Sequence, residues 1–320
     1  MQPSKQFTQF SIRDKSKSIR VLTGFYDTTH LSILGLLSET KMGKLTGFLQ
    51  LIRPLNCLMM GFAVVVGASL VFSLTLTLNL LLGFVTSFTL TAASMAINDY
   101  YDREIDAINE PNRPIPQGEV SPKEALISAL ILSIIGFIAA TAANPPNTLI
   151  VATIAYIISI TYITKGKGTG LPGNFLVSAS VVIPFIYGAF TVGYIHMSIF
   201  LFAAIAFLSN TGREITKGIV DVEGDKSHNI KTIAVTYGEK TAAAIATIFS
   251  LLAVILSPLP WLWKLVSNWF LPPVILTDVG LIVSSILLLR DYSKTKAKKI
   301  KNLSLIWFTT GLLAFILGAL

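Results

Sequence analysis

The chain has 320 residues, 52% of them hydrophobic and only 13% charged, with a mean hydropathy of +0.68. A soluble domain carries about 25% charged residues, so this composition excludes one and indicates a polytopic membrane protein. The net charge of +8 comes with no motif that interleaves aromatic and basic residues, which argues for membrane orientation and attraction to anionic lipid rather than nucleic-acid binding. One cysteine, Cys57, excludes an intramolecular disulfide and a cysteine-rich metal site.

Residues 1–45 open the chain as a basic extension, and its apolar stretch Leu31 to Leu37 is too short to span a bilayer. No cleavable hydrophobic core follows the first basic residues closely, which argues against a secretory signal. The Ser/Thr-rich, acid-poor composition fits an organelle transit peptide as well, but the expectation is a cytoplasmic extension, partly disordered or lying on the membrane surface.

From there nine apolar runs read as candidate spans, near 48–72, 78–98, 124–143, 147–164, 174–193, 197–212, 240–258, 271–290 and 303–320, against about 20 residues needed per crossing. The hydrocarbon core offers no water to backbone groups, so the runs are expected to be helices packed on one another. The predicted fold is therefore all-α, with about nine transmembrane helices around a central cavity open to the cytoplasmic side.

Of the 25 Lys and Arg residues, 8 precede or open the first span, and 3, 2, 5 and 6 lie in the second, fourth, sixth and eighth connections. Only Lys264 falls in an odd-numbered connection. The positive-inside rule then places the N-terminus and every even connection in the cytoplasm.

Acidic clusters follow two of these runs, Asn98-Asp99-Tyr100-Tyr101-Asp102-Arg103-Glu104-Ile105-Asp106 and Asp221-Val222-Glu223-Gly224-Asp225. At about 100° per residue, Asp99, Asp102 and Asp106 fall within an arc of about 60° on a helix, and Asp221 and Asp225 lie one turn apart. Carboxylates crowded in this way repel one another unless a cation neutralises them, and hard oxygen ligands suit Mg²⁺. A solvated helix end would explain one aspartate, whereas five in two clusters on one membrane side favour a magnesium-bridged diphosphate. Asn98 adds an amide. Transported ions tend to be held near the midplane on broken helices; acids at span ends instead favour holding a substrate, although a cation or organic-anion transporter gated by the same acids is the competing class.

A diphosphate leaving group asks for further cations, and Arg113, Lys165, Lys167, Arg213, Lys217 and Lys226 all lie in the same connections, where topology alone would explain each. Tyr162 either aims its hydroxyl at the site or belongs to the interfacial aromatic belt. Asn56, at the start of the first span with Arg53, is expected to face the cavity, because an amide a turn inside hydrocarbon is costly without a partner. Asp278 is the one acid in the eighth span and takes no role. Between the clusters, Ser121-Pro122-Lys123-Glu124 predicts a capped helix start. There is no Gly-rich phosphate loop with lysine, no His-Glu-x-x-His and no cysteine pair.

With Asn98, Asp99, Asp102 and Asp106 in an Asn-Asp-x-x-Asp-x-x-x-Asp pattern and Asp221 and Asp225 in Asp-x-x-x-Asp, the chain resembles the UbiA-type intramembrane prenyltransferases over roughly residues 45 to 320. The resemblance implies an Mg²⁺-dependent prenyltransferase whose Asp99, Asp102, Asp106, Asp221 and Asp225 hold the metal at an isoprenyl diphosphate. Gly212-Arg213-Glu214-Ile215, Lys217 and Asp221 to Asp225 look most like the archaeal ether-lipid members, which attach a second geranylgeranyl chain to geranylgeranylglyceryl phosphate. Prenylation of an aromatic quinone precursor or of chlorophyllide is the alternative within the family. The family's tyrosine and lysine separated by three residues find no match here, since Tyr162 is followed by Lys165 and Lys167.

Overall fold

A computed structural model describes residues 43–71, 75–228 and 230–319. The expected N-terminal extension therefore lies almost wholly outside the described residues. Lys44–Leu320 forms one compact unit. Its helices in chain order are α1 (Gly43–Ile52), α2 (Pro54–Ser69), α3 (Leu78–Asn109), α4 (Pro122–Ala143), α5 (Asn147–Thr164), α6 (Leu171–Thr191), α7 (Met197–Val220), α8 (Val222–Ser227), α9 (Ile233–Tyr237), α10 (Glu239–Leu256), α11 (Leu259–Leu262), α12 (Leu271–Arg290) and α13 (Lys294–Gly318). There is no strand among the described residues.

Among the described residues seven helices are long and apolar enough to cross a membrane, or eight if the α1–α2 pair, bent by 40°, is one span. The expectation of about nine is thus approximate. The sixth expected span, α7, is helical over 24 residues, but its second half carries Asn210, Arg213, Glu214 and Lys217, so it falls short of the others in apolarity. The outward faces of the spans keep large apolar residues, such as Leu130, Ile134 and Ile138 on α4, in contact with what surrounds the bundle. That pattern belongs to a protein whose solvent is lipid.

Three local features position the polar end of the bundle. Arg53 breaks the first span: Pro54 removes a donor at the first helical position, and Arg53 itself takes a left-handed backbone (φ 50°), which throws the chain into its bend. Ser121 and Glu124 form the expected capping box, with Glu124 N donating to Ser121 Oγ at 3.2 Å and Ser121 N to Glu124 Oε2 at 2.8 Å. Ile115 and Val120 in the preceding loop pack against Leu51, Ala93 and Ala96, which anchors that loop beneath the end of α3.

Glycine decides where α2 meets α6. A Cβ on Gly67 would stand 1.9 Å from the Phe185 carbonyl oxygen, and one on Gly188 would stand 2.0 Å from that of Val64. Only residues without side chains let these backbones meet, as is usual where helices pack in membranes. Packing at the opposite end from the capped loops rests on aromatic rings, with Phe202 and Phe315 at 4.5 Å and Phe270 stacked 6.3 Å from Phe315.

Candidate active site

The first acidic motif lies on the last turns of α3, which continues unbroken past the expected span end at residue 98 to Asn109. One face of that helix presents its carboxylates to three cations from three different segments. Arg53 Nη2 donates to Asp99 Oδ1 at 2.5 Å, and Arg113 Nη1 reaches both Asp106 Oδ2 at 2.5 Å and Asp99 Oδ1 at 3.3 Å. Lys167 forms an ion pair with Asp102. Asn98 Nδ2 donates to Asp102 Oδ2 at 3.0 Å, so the amide orients the carboxylate one turn along. Asp99 and Asp106 are buried.

The second motif sits where α7 ends and α8 begins. Asp225 N donates to Asp221 O at 2.8 Å, which stacks the two residues one turn apart as their spacing requires. Among the described residues neither carboxylate has a cation within ion-pair distance. Burial, and then the neighbouring Asp221 charge, push the Asp225 carboxyl up to about 6, while a hydrogen bond to the Thr232 side chain opposes the shift.

Two residues link the motifs. Tyr162 lies within electrostatic reach of Asp102 on one side and of Lys217, Glu214 and Asp225 on the other. Lys167 feels Asp102 and Asp106 together with Lys217. Burial pulls the Lys167 ammonium below the ordinary lysine range, with Asp102 as the main opposing influence. Tyr162 is therefore in electrostatic reach of an aspartate from each cluster, at the polar end of the bundle. Gly173 lets Lys167 get there: a Cβ at that position would lie 2.2 Å from the Gly166 carbonyl oxygen, so the glycine allows the short turn Gly166–Gly168 to settle on the start of α6.

The bundle also encloses a narrow chamber of about 140 Å³, bounded by Met59 and Met60 of α2, Asn210 of α7, Leu281 of α12 and Phe308 and Phe315 of α13. A charged end and an apolar interior in one bundle suit an amphiphile with an anionic head and a hydrocarbon tail.

The UbiA prenyltransferase family model matches residues 57–310. The chain belongs to that family, and it is an integral membrane enzyme of the prenyltransferase class. The UbiA relatives include the digeranylgeranylglyceryl phosphate synthase of Pyrococcus furiosus, 40% identical over 279 residues that cover 86% of this chain and 97% of the relative. That of Methanopyrus kandleri is 36% identical over 274 residues, covering 85% and 99%. A solved structure of a digeranylgeranylglyceryl phosphate synthase superposes with a TM-score of 0.73 at 34% identity, over 86% of this chain and 98% of that one. A UbiA homologue from Archaeoglobus fulgidus bound to GPP and Mg²⁺ shares the fold at a TM-score of 0.62 and 19% identity, over 84% and 99%.

Within this UbiA fold the expected site residues divide. Asp99, Asp102, Asp106, Asn98, Arg113 and Lys167 come together at the end of α3, Asp221 and Asp225 lie at the α7–α8 junction near Lys217, and Tyr162 is in electrostatic reach of both groups. Lys165 is exposed and makes no ion pair among the described residues, so Lys167 is the lysine that reaches Asp102. Asn56 is exposed: its backbone N donates to Arg53 O at 2.9 Å, and its side chain has no hydrogen-bond partner among the described residues. Arg213 Nη1 donates to Glu214 Oε1 at 2.6 Å, and its buried Nε is without a partner. Glu214 also faces Lys217 Nζ at 3.7 Å, which makes it the carboxylate that spaces two cations. Sequence reasoning left Arg53, Glu214 and Thr232 without a role. Arg53 carried a usable signal, a cation directly before the proline that starts a span.

Proposed function

We propose that this enzyme transfers a geranylgeranyl group from geranylgeranyl diphosphate to the free hydroxyl of geranylgeranylglyceryl phosphate, with the reacting heads at the cytoplasmic face. The observation that supports the reading is that Tyr162 lies within electrostatic reach of Asp102 in the first acidic motif and of Asp225 in the second, in a bundle that also holds an apolar chamber. The relatives at 40% and 36% identity, named for this reaction, support the choice of substrates over a quinone precursor or chlorophyllide. Family membership decides against the transporter reading.

The donor set fits Mg²⁺. All five candidate ligands are hard carboxylates, and in the second pair burial, and then repulsion from Asp221, raise Asp225 against the partial relief that Thr232, Lys217 and His228 give. Asp99, Asp102, Asp106, Asp221 and Asp225 would hold the metal directly or through water, and there it would supply Lewis-acid neutralisation of the departing diphosphate. Among the described residues no three metal-binding side chains converge. The first motif instead holds Arg53, Arg113 and Lys167, and these cations are placed to turn from carboxylates to phosphate oxygens when substrate arrives.

The remaining steps belong to the chain's own groups. Arg113 and Lys167 stabilise charge that grows on the leaving diphosphate as the allylic carbon–oxygen bond breaks and takes its electron pair to oxygen. The chamber holds the hydrocarbon tail and excludes water that would capture the allylic cation. Met59 and Met60, flexible thioethers, give way as the narrow space fills. The acceptor hydroxyl then forms the new carbon–oxygen bond, and its proton passes to the released diphosphate. Arg213, with its unpartnered Nε, and Lys217 are the groups for the acceptor's phosphate.

Purified protein supplied with geranylgeranyl diphosphate, Mg²⁺ and a mixture of glyceryl-ether phosphate and aromatic acceptors should release pyrophosphate and prenylate the ether phosphate. Prenylation of the aromatic acceptor alone would overturn the substrate assignment, and no pyrophosphate release with any acceptor would overturn the reaction.

A further inference from the structure

An intramembrane carboxyl group is expensive, and by default it marks a function. Asp278 is such a group, and no step above uses it. It lies in the wall of the apolar chamber, beside Thr277 and across from Ala206 and Phe308 in the lining. The buried Ser257, just past the end of α10, donates to Asp278 Oδ2 at 2.6 Å. Among the described residues Oδ1 has no hydrogen-bond partner.

The position along the chamber gives the carboxyl a consequence. Twelve residues of α12 separate Asp278 from Arg290 at the acidic end, about 18 Å of helix at 1.5 Å per residue. A further eight residues lead to Phe270, where the aromatic rings close the chamber. Asp278 thus divides the interior into a section next to the charged mouth and a deeper section lined by Val274, Leu312 and Phe315. A tail that ends above Asp278 leaves Oδ1 facing the open chamber. A tail that runs past it lays hydrocarbon against a carboxyl oxygen without a protein partner, and burying an unpaired polar group in that way is costly.

We propose that Asp278, fixed by Ser257, sets the length of isoprenoid chain the enzyme accepts by penalising tails that extend beyond it. The proposal rests on the reading of the chamber as the tail site of a prenyl donor. A purely structural role, in which the Ser257–Asp278 bond only ties α10 to α12, is the competing account, since polar pairs join helices in membranes.

The test uses the full chain in lipid nanodiscs with farnesyl, geranylgeranyl and geranylfarnesyl diphosphates offered in competition. Asp278→Ala should raise kcat/KM for geranylfarnesyl relative to geranylgeranyl diphosphate by about tenfold, which corresponds to about 1.4 kcal/mol. Asp278→Asn, which stays polar, should keep the wild-type ratio. A second readout needs no turnover: Trp307 lines the chamber, so quenching of its fluorescence by non-ionising thiodiphosphate analogues should show the same shift in relative affinity. If Asp278→Ala does not fold, Asp278→Val restores side-chain volume without the charge and should shift the ratio in the same direction. An unchanged ratio in a folded, active Asp278→Ala or Asp278→Val protein overturns the proposal and leaves the tie between helices. Failure of the wild-type protein to turn over any of the three donors would instead overturn the proposed function.

Discussion

The two acidic motifs look alike in sequence and sit in opposite electrostatic states. In the first, each aspartate on α3 is matched by a cation drawn from elsewhere in the chain, Arg53, Arg113 or Lys167. In the second, Asp221 and Asp225 lie a single turn apart with no ion-pair partner among the described residues, and burial, and then the Asp221 charge, make Asp225 hold its proton more tightly. The contrast separates two tasks. A neutralised motif can be buried and rigid before substrate arrives, because burying charge is tolerable once it is paired. A motif without ion pairs retains repulsion that Lys217 and His228 relieve only in part, which makes the second motif the more metal-hungry half of the site.

Removing one carboxylate from each motif tests whether the halves work as one site. Asp221→Asn and Asp102→Asn should each lower prenyl transfer by more than about a hundredfold, the scale of losing one group that stabilises transition-state charge. Membrane insertion and helical content should stay at wild-type levels. Normal turnover by either variant under saturating Mg²⁺ would separate the two motifs.

Stability should divide them in the other direction. Arg113→Ala strands Asp106 and weakens the hold on Asp99, both buried. Breaking a fully buried pair costs about 3–5 kcal/mol, and the partial exposure of Arg113 reduces the expected loss to about 2 kcal/mol, read from thermal unfolding in detergent. Asp221→Asn, which removes repulsion, should leave the melting temperature unchanged or raise it.

Acid should reach the second motif first. Asp225 is ionised above about pH 6 and protonated below it, and a protonated carboxyl does not hold a cation. The apparent Mg²⁺ affinity should therefore fall as the pH drops through about 6, by at most about tenfold per unit for one proton. The sign for folding is the reverse. A carboxyl with a raised value binds its proton more tightly in the folded chain, so the ligand-free protein should gain stability from this group as the pH falls through that window. A Mg²⁺ affinity independent of pH between 5 and 7.5 would contradict the Asp225 assignment.

The smallest effect is expected just outside the site. Glu223 lies between Asp221 and Asp225 in sequence, yet it points to Lys294 in an exposed ion pair of 2.5 Å. Solvent screens such pairs strongly, so Lys294→Gln should leave both activity and melting temperature unchanged. A large loss would mean that the second motif depends on a surface tie to α13.

Much of this was legible in residue order. Apolar runs, basic residues placed in alternate connections and turn residues at Ser121 and Pro122 are local signals, and local signals survive without coordinates. The carboxylate faces were legible too, because helical geometry turns spacing directly into direction. The choice between Lys165 and Lys167 was not, since it depends on Gly173 letting the Gly166–Gly168 turn settle against α6. The count of spans is approximate at α7, because a helix that carries Asn210, Arg213, Glu214 and Lys217 is less apolar than a span that faces only lipid.

Composition and spacing by themselves determined that the chain lives in a membrane as helices and that five aspartates form two one-sided clusters, because hydropathy and helical period act within a few turns. Only the tertiary structure decided which cations neutralise which acids, that Tyr162 reaches both clusters, and that the bundle holds an apolar chamber with Asp278 in its wall. Those relations include pairs 46 and 65 positions apart, Arg53 with Asp99 and Lys167 with Asp102. Ion pairing depends on distance in space, and no periodicity along a chain encodes it.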